Sequence, residues 1–268
     1  MRRVVLALVY ALLVTVPASG ARADEVVDLV RRTLGERVGP SARYEMVARD
    51  EDRAVVMVRT TAGPPAKEDR PGSAGGSNVY WYYAHLERRD GAWSMAGLAR
   101  ALPPSVREQA DTFRSVSAAD LAKASGAPQA EIEADRRRLL LAASEDEALL
   151  RHFAENRPGF ERIRAILTRR PHNVDDETRV KAGDAELGAL FAESAIAYAD
   201  RIVLGDDVED DRGCFAPGCF TLAVLFSAPQ YKVGYFYAPQ PERVPRMTPR
   251  EYLVIRPLGD GWYFFRQN

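Results

Sequence analysis

The chain has 268 residues, of which 46% are hydrophobic and 28% are charged, and its formal net charge is −1. This balance predicts a folded chain that buries more than one small core. It argues against nucleic acid or an anionic membrane as the partner, because both are bound by a strongly basic surface.

Residues 1–23 have the three parts of a cleavable export signal. Arg2 and Arg3 form a positive region before the apolar stretch at 4–16, and Ala-Arg-Ala at 21–23 forms a small-x-small cleavage site. The apolar stretch is shorter than the roughly 20 residues that a membrane-spanning helix needs. We therefore expect a mature chain that begins at about Asp24, is periplasmic or secreted, and has no membrane anchor.

The composition of the mature chain fits a bacterial envelope protein. Arginine greatly outnumbers lysine and alanine is abundant, which is typical of a GC-rich bacterial genome. Signal cleavage would remove three of the 37 basic residues and none of the 38 acidic ones. The mature surface is therefore expected to be weakly acidic and ordinary in its charge density.

Residues 24–104 predict an N-terminal α+β domain. Apolar residues recur at helical spacing between Val26 and Val38 and indicate an amphipathic helix. The strand segments that follow are 43–48, 54–60, 78–89 and 92–100. Asp90-Gly91 predicts a tight hairpin turn between the last two strands, and residues 62–77, which lack large apolar side chains, predict a mobile loop.

Residues 105–143 predict a helical connector, and residues 144–268 a C-terminal α+β domain. Ser117 and Asp120 have the spacing of a capping pair, and Ser144 and Glu147 predict a capping box for the first helix of the C-terminal domain. Pro158-Gly159 should kink or interrupt that helix. A helix at 186–192 and strands at 198–204, 220–227, 232–237, 251–256 and 261–266 complete the prediction, with Asp260-Gly261 in the last turn.

The expected fold class is therefore α+β, with two units that each pack a helix on a curved antiparallel β-sheet and a helical connector between them. The segments 86–93 and 255–262 resemble each other around an Asp-Gly turn followed by tryptophan. This pattern is also common in unrelated hairpins, so both duplication and coincidence stay open.

Cys214 and Cys219 lie in one short segment and predict a local disulfide, because exported proteins form disulfides. Pro217 and Gly218 favour the turn that would bring the two thiols together. Closing so small a loop is expected to stabilise the fold by roughly 2 kcal/mol. A redox role is the alternative, although four residues separate these cysteines where a redox motif has two.

Two strands are dense in aromatic residues, and each places rings on both faces of its sheet. One face must pack in the core, while the other is either covered by the protein itself or exposed to a ligand that stacks on rings. The residues of this possible binding surface are Tyr80, Trp81, Tyr82, Tyr83, Tyr235 and Tyr237.

No catalytic, cofactor or metal site is predicted. The three histidines lack ligand spacing, and neither a nucleophile elbow nor a phosphate-binding glycine loop is present. His152 and Glu155 lie one helical turn apart, which is more typical of a solvated helix face than of a catalytic pair. The acidic residues 206–211 resemble a calcium loop, but Arg212 and Gly218 stand where such a loop needs glycine and glutamate.

Part of the C-terminal domain is similar to other bacterial proteins. The similarity lies in residues 146–153, Phe160-Glu161, residues 232–237 and residues 261–265. Through these segments, residues 145–268 resemble a family of uncharacterised exported bacterial proteins. The family usually has ordinary helix formers where this chain has Pro158-Gly159, and the resemblance implies no particular activity.

These features favour an exported, non-catalytic binding protein without a cofactor, such as an inhibitor or immunity-type protein with a protein partner in the envelope. The alternative is a hydrolase of envelope glycans or peptides that uses paired carboxylates such as Glu155, Glu161 or Asp207. A structural component of the envelope is the third class.

Overall fold

A computed structural model describes residues 20–61, 79–169, 179–181, 184–200, 219–227 and 231–268. The helices are α1 (Gly20–Val38), α2 (Pro104–Ser115), α3 (Ala118–Ser125), α4 (Gln129–Ala142), α5 (Asp146–Leu167) and α6 (Gly188–Glu193), with a 3-10 turn at Pro241–Arg243. The strands are β1 (Arg43–Arg49), β2 (Arg53–Thr60), β3 (Tyr80–Arg89), β4 (Ala92–Arg100), β5 (Arg179–Lys181), β6 (Tyr198–Asp200), β7 (Phe220–Ser227), β8 (Tyr231–Tyr237), β9 (Tyr252–Gly259) and β10 (Trp262–Gln267). The predicted loop at 62–77 lies outside these residues.

The strands form two antiparallel sheets, which confirms the predicted α+β class. The first sheet has the order β1-β2-β3-β4, and the second has the order β5-β6-β7-β8-β10-β9. The sheets thus differ in strand number and order, although both contain a hairpin with an Asp-Gly turn. The backbone φ angles at Asp90, Gly91, Asp260 and Gly261 are all positive, as a tight two-residue hairpin turn requires.

Helix α1 covers one face of the first sheet, as its apolar spacing predicts. Val26, Val30, Leu34 and Val38 are all buried, and they share one core with inward-facing residues of β2 and β3. These four side chains follow the expected cleavage site, so a mature chain from Asp24 would keep this core.

Helix α5 packs its aromatic residues on the second sheet. The rings of Phe153 and Phe160 lie 4.8 Å apart, and those of Tyr235 and Trp262 lie 5.4 Å from the Phe153 ring. All four side chains are buried. Aromatic groups of this size supply much of the hydrophobic stabilisation of a core.

Of the kink or interruption predicted at Pro158-Gly159, the interruption does not occur, since α5 runs unbroken from Asp146 to Leu167. Proline removes the backbone bond to the carbonyl of Ala154, but both residues are exposed, so water can reach that carbonyl. Phe153 and Phe160 anchor the helix on both sides of the proline. Tertiary packing therefore overrides the local helix-breaking signal.

The predicted capping box at Ser144 is also wrong. Helix α5 begins one residue later, with Glu145 as its N-cap and no side-chain cap bond. The Ser144 hydroxyl instead donates to the carbonyl oxygen of Leu140 at 2.7 Å, at the end of α4. The predicted capping pair at Ser117 is confirmed, because its hydroxyl accepts from the backbone N–H of Asp120 at 3.1 Å.

One large core joins the two units. The face of the first sheet opposite α1 contributes Val55, Met57 and Tyr83 to the cluster that contains the aromatic residues of α5 and the second sheet. Helix α4 of the connector packs against α2, α3 and β7. Within the described ranges, no helix is long and apolar enough to cross a membrane.

Candidate functional site

A cleft of about 380 Å³ lies where the first sheet, the connector and α5 meet. The apolar part of its lining is Val79, Trp81, Leu102, Ala143 and Ala148, and the polar part is Arg107, Asp111, Arg114, Ser144, Glu145, Glu147 and Arg151. Its volume falls in the range of roughly 300–1,000 Å³ that is usual for ligand pockets. Trp81, one of the predicted surface aromatics, therefore lies in a cleft with the size of a ligand site.

A buried ion pair fixes the start of α5 at the edge of this cleft. Arg266 of β10 donates from Nε to Asp146 Oδ1 at 2.8 Å, and both side chains are 2–3% exposed. The same guanidinium donates to the carbonyl oxygens of Ala142 at 2.9 Å and Ser144 at 2.6 Å. It thereby orders the turn that joins α4 to α5.

Two tyrosines extend this network into both sheets. The Tyr83 hydroxyl of β3 lies 2.9 and 2.8 Å from the two carboxylate oxygens of Asp146. The Tyr231 hydroxyl of β8 accepts from Arg266 at 2.7 Å and donates to the carbonyl oxygen of Ala101 at 3.2 Å. Burial raises the pKa of both tyrosines, and the neighbouring carboxylate adds to that rise for Tyr83. Both hydroxyls therefore stay protonated.

Every carboxylate that lines the cleft has an arginine partner. Asp111 pairs with Arg114 at 2.6 Å. Glu145 pairs with Arg59 of β2 at 2.5 Å, and Glu147 pairs with Arg256 of β9 at 3.0 Å. The last two arginines reach these carboxylates from outside the cleft lining.

Two other lining arginines are not neutralised in this way. Arg107 places its guanidinium 4.3 Å from the centroid of the Tyr80 ring, and Arg151 is exposed on α5. Neither side chain has an ion-pair partner in the part of the chain that the structure describes. The cleft therefore has a surplus of cationic hydrogen-bond donors.

The Trp81 indole is a further unusual feature of the cleft wall. Its Nε1 atom is buried and has no acceptor among the described residues. A buried donor without a partner costs on the order of 1–3 kcal/mol. Such costs are tolerated most often where a site serves a function.

Three of the six predicted surface aromatics are core residues. Tyr82, Tyr83 and Tyr235 are 7%, 1% and 0% exposed. Tyr237 is partly buried and packs 5.4 Å from the Trp262 ring, with the Arg164 guanidinium 5.1 Å from its centroid. Tyr80 is partly buried against the core under α1 and contacts Arg107, so Trp81 is the one residue of the six that lines the cleft.

The predicted disulfide stays a prediction, because Cys214 lies outside the described residues. Cys219 is 3% exposed and packs with Phe236 and Tyr252 on the outer face of the second sheet. The acidic residues 206–211 also lie outside the described ranges. Among the residues that are described, no group of three or more His, Cys, Asp or Glu side chains could hold a metal ion.

His152 forms a hydrogen bond with the buried Tyr235 and not with Glu155. Its Nδ1 lies 2.9 Å from the Tyr235 hydroxyl, which donates to the carbonyl oxygen of Leu149 at 2.9 Å. Because that hydroxyl proton is used, His152 must carry its own proton on Nδ1. Burial, with a smaller contribution from Arg137, lowers the pKa of His152 to about 4, so the ring is neutral at physiological pH.

The second buried histidine predicts a pH-dependent stability. Burial and Arg53 lower the pKa of His85 from 6.5 to about 4. Between these values the unfolded chain binds more protons, so the free energy of unfolding falls as the pH drops from about 6.5 towards 4. In urea unfolding, replacing His85 with leucine should reduce the loss between pH 7.5 and pH 5 by about 2 kcal/mol. Parallel pH profiles for the two proteins would contradict this assignment.

Sequence reasoning missed Glu45 of β1. Burial and the neighbouring Glu147 raise its pKa, while Arg256 lowers it. Of the carboxylates proposed from sequence, Glu155 is exposed and Asp207 lies outside the described residues. Glu161 accepts from Trp262 Nε1 at 3.1 Å and from Arg157 Nε at 2.9 Å, so it is held in a structural network.

Sequence reasoning also missed the arginines of the cleft. Arg107 lies near the start of the connector and Arg151 lies beyond its end, and arginine is frequent throughout the chain. No local motif distinguishes these two from arginines on an ordinary solvated surface. Only the tertiary structure shows that residues of α2 and α5 line one cleft.

Comparison with known proteins identifies no relative for this chain. No family model matches it, and neither a curated protein nor a solved structure shows significant similarity. The similarity of residues 145–268 to uncharacterised exported proteins therefore remains an expectation from sequence. The geometry of the cleft is the basis on which a function can be proposed.

Proposed function

We propose that this chain is an exported, non-catalytic binding protein of the bacterial envelope that engages a protein partner through the cleft. The observation that carries this proposal is the lining of the cleft, which includes Trp81 and two arginines that have no ion-pair partner within the described ranges. Aromatic residues and arginine are the side chains that contribute most to protein interfaces.

The frame of the cleft supports a binding role. The Asp146–Arg266 pair and its tyrosines hold β3, the α4–α5 turn and the second sheet in one arrangement. A preorganised site loses little conformational entropy when a ligand binds. An inhibitor or immunity-type protein needs such a rigid scaffold and no catalytic group.

The proposed location of the protein rests on the predicted export signal. The signal at residues 1–23 would place the mature chain in the periplasm or outside the cell. A partner in that compartment is expected to be an envelope or secreted protein.

The proposal is tested by recovering the partner from the compartment in which it should occur. The mature chain, residues 24–268, is immobilised after oxidation and incubated with periplasmic and cell-wall extract, and the retained proteins and glycans are identified. We expect one stoichiometric protein partner, and we expect less of it on a column that carries the Trp81→Ala variant. Retained or shortened glycan without any protein would contradict the proposal.

An envelope hydrolase is the second candidate, and Glu45 is the observation that favours it. Its pKa is raised by burial and by Glu147, as expected for one of two carboxyl groups that share a site. Glu147, however, already accepts from Arg256 at 3.0 Å. If the chain shortens cell-wall glycan or peptide, the Glu45→Gln variant should lose that activity; equal activity of variant and parent would exclude Glu45 from the reaction.

A further inference from the structure

We propose that the cleft binds a peptide segment of the partner in which acidic side chains flank an apolar residue. This inference deepens the proposed binding function and rests on it. It names the chemistry of the ligand, which the binding function alone leaves open.

The first argument is the charge balance inside the cleft. Its carboxylates at Asp111, Glu145 and Glu147 each have an arginine within 3.0 Å. Arg107 and Arg151 have no such partner anywhere in the described part of the chain. The unused hydrogen-bonding capacity of the cleft is thus cationic, and a carboxylate is its natural complement.

The second argument is the geometry of Arg107. Its guanidinium lies over the Tyr80 ring, with the carbon atom 4.3 Å from the ring centroid. A cation–π contact of this kind needs no N–H hydrogen bond, and the Arg107 side chain has no acceptor among the described residues. Arg107 is therefore held in place, with its donors available for a planar carboxylate.

The third argument is the apolar part of the lining. Trp81, Leu102 and Ala148 give the cleft a surface that accommodates an aliphatic or aromatic side chain. A ligand that carries both an apolar group and carboxylates matches this lining. An acidic peptide that contains an apolar residue carries both kinds of group on neighbouring residues.

The lining also favours a peptide over a phosphate group. Trp81, Leu102 and Ala148 line the same cleft as the two arginines, and a phosphate ion has no apolar group to contact them. The backbone amides of a peptide can in addition bond to the polar rim. Inorganic phosphate is therefore the competing ligand that the test must include.

The test is calorimetric titration of the mature chain with the blocked pentapeptide Gly-Glu-Leu-Glu-Gly at low ionic strength. Analogues with glutamine or lysine in place of both glutamates, and inorganic phosphate, are the comparison ligands. We expect the glutamate peptide to bind at least about fivefold more tightly than either analogue, and its affinity to fall as salt is added.

Variants of the two arginines connect the affinity to the cleft. Arg107→Gln and Arg151→Gln should each weaken binding of the glutamate peptide by about fivefold or more. Arg162→Gln is the matched control, because Arg162 lies on α5 beyond the cleft and pairs with exposed Glu193 at 3.5 Å. The charge-reversed variant Arg151→Glu should shift preference towards the lysine peptide, which a misfolded protein would not do.

The possible results separate this inference from the proposed function. Equal binding of all peptides, stronger binding of phosphate, or no effect of the arginine variants would overturn the inference. If the envelope extract nevertheless yields a stoichiometric protein partner, the binding function stands without it. If the glutamate peptide binds as expected but the extract yields no partner, the preference of the cleft for an acidic peptide is supported, while the proposed function fails.

Discussion

Replacing Arg266 with leucine is expected to lower the free energy of unfolding by about 3–5 kcal/mol. The change leaves the Asp146 carboxylate buried with only the Tyr83 hydroxyl as a side-chain partner. It also leaves the carbonyl oxygens of Ala142 and Ser144 without the donor they have now. Urea unfolding of the mature chain at pH 7 measures the effect.

Arg256→Leu is the matched control for this experiment. Arg256 lies on the neighbouring strand β9 and pairs with Glu147, which directly follows Asp146. That pair is 23% and 46% exposed, against 3% and 2% for Arg266 and Asp146. An exposed pair contributes at most about 1 kcal/mol, so equal losses in the two variants would contradict a special role for the buried pair.

The double variant Asp146→Leu/Arg266→Leu tests whether the loss of stability comes from an unpaired buried charge or from altered packing. It removes both charges, so the cost of an unpaired buried carboxylate disappears. We expect it to be more stable than Arg266→Leu alone. A double variant that is less stable by the sum of the two single losses would show that the ion pair is not the source of the effect.

Gly234→Ala is expected to destabilise the second sheet by more than about 3 kcal/mol, beyond the usual cost of an added methyl group. A methyl group on Gly234 would lie 2.0 Å from the carbonyl oxygen of Leu222 and 3.0 Å from Ala223 Cα. Both atoms belong to the backbone of β7, where the register shifts between Ala223 and Leu225. Backbone atoms in the middle of a sheet cannot move aside for an added methyl group as the end of a flexible side chain can.

Gly35→Ala, in contrast, is expected to stabilise the protein. Gly35 lies in α1, and a methyl group there would meet no atom within 4 Å. The substitution should raise stability by about 0.5–1 kcal/mol, because alanine favours the helix. Thermal and urea unfolding of both variants test the pair, and a mild effect of Gly234→Ala would show that β7 and β8 can separate there without loss.

The strands and hairpins could be predicted because they depend on residues close in the chain. The predicted strands at 54–60 and 220–227 agree with β2 and β7 to within one residue, and the two Asp-Gly turns occur where predicted. The helix stays unbroken at Pro158 because α5 is anchored by contacts such as Phe153 with Trp262, which is far away in sequence. The capping box at Ser144 does not form because its hydroxyl bonds to the carbonyl oxygen of Leu140 in the preceding helix.

Less of the candidate site could be predicted from the sequence. The aromatic strand at 80–83 was identified, but its rings divide between two cores, and only Trp81 reaches the cleft. Whether an aromatic residue is buried depends on what covers its face of the sheet. Here α1 covers one face, and α5 with the second sheet covers the other.

The sequence by itself determined the α+β class and the turns between paired strands, since both follow from local spacing. The export signal is an expectation from the sequence. Only the tertiary structure decided that the two units share one core and that Asp146 and Arg266 form a buried pair across 120 residues of chain. It alone brought Arg107 and Arg151 to one cleft. Such pairings depend on how helices and sheets pack, and charged residues spread along a chain carry no periodic signal of where they will meet.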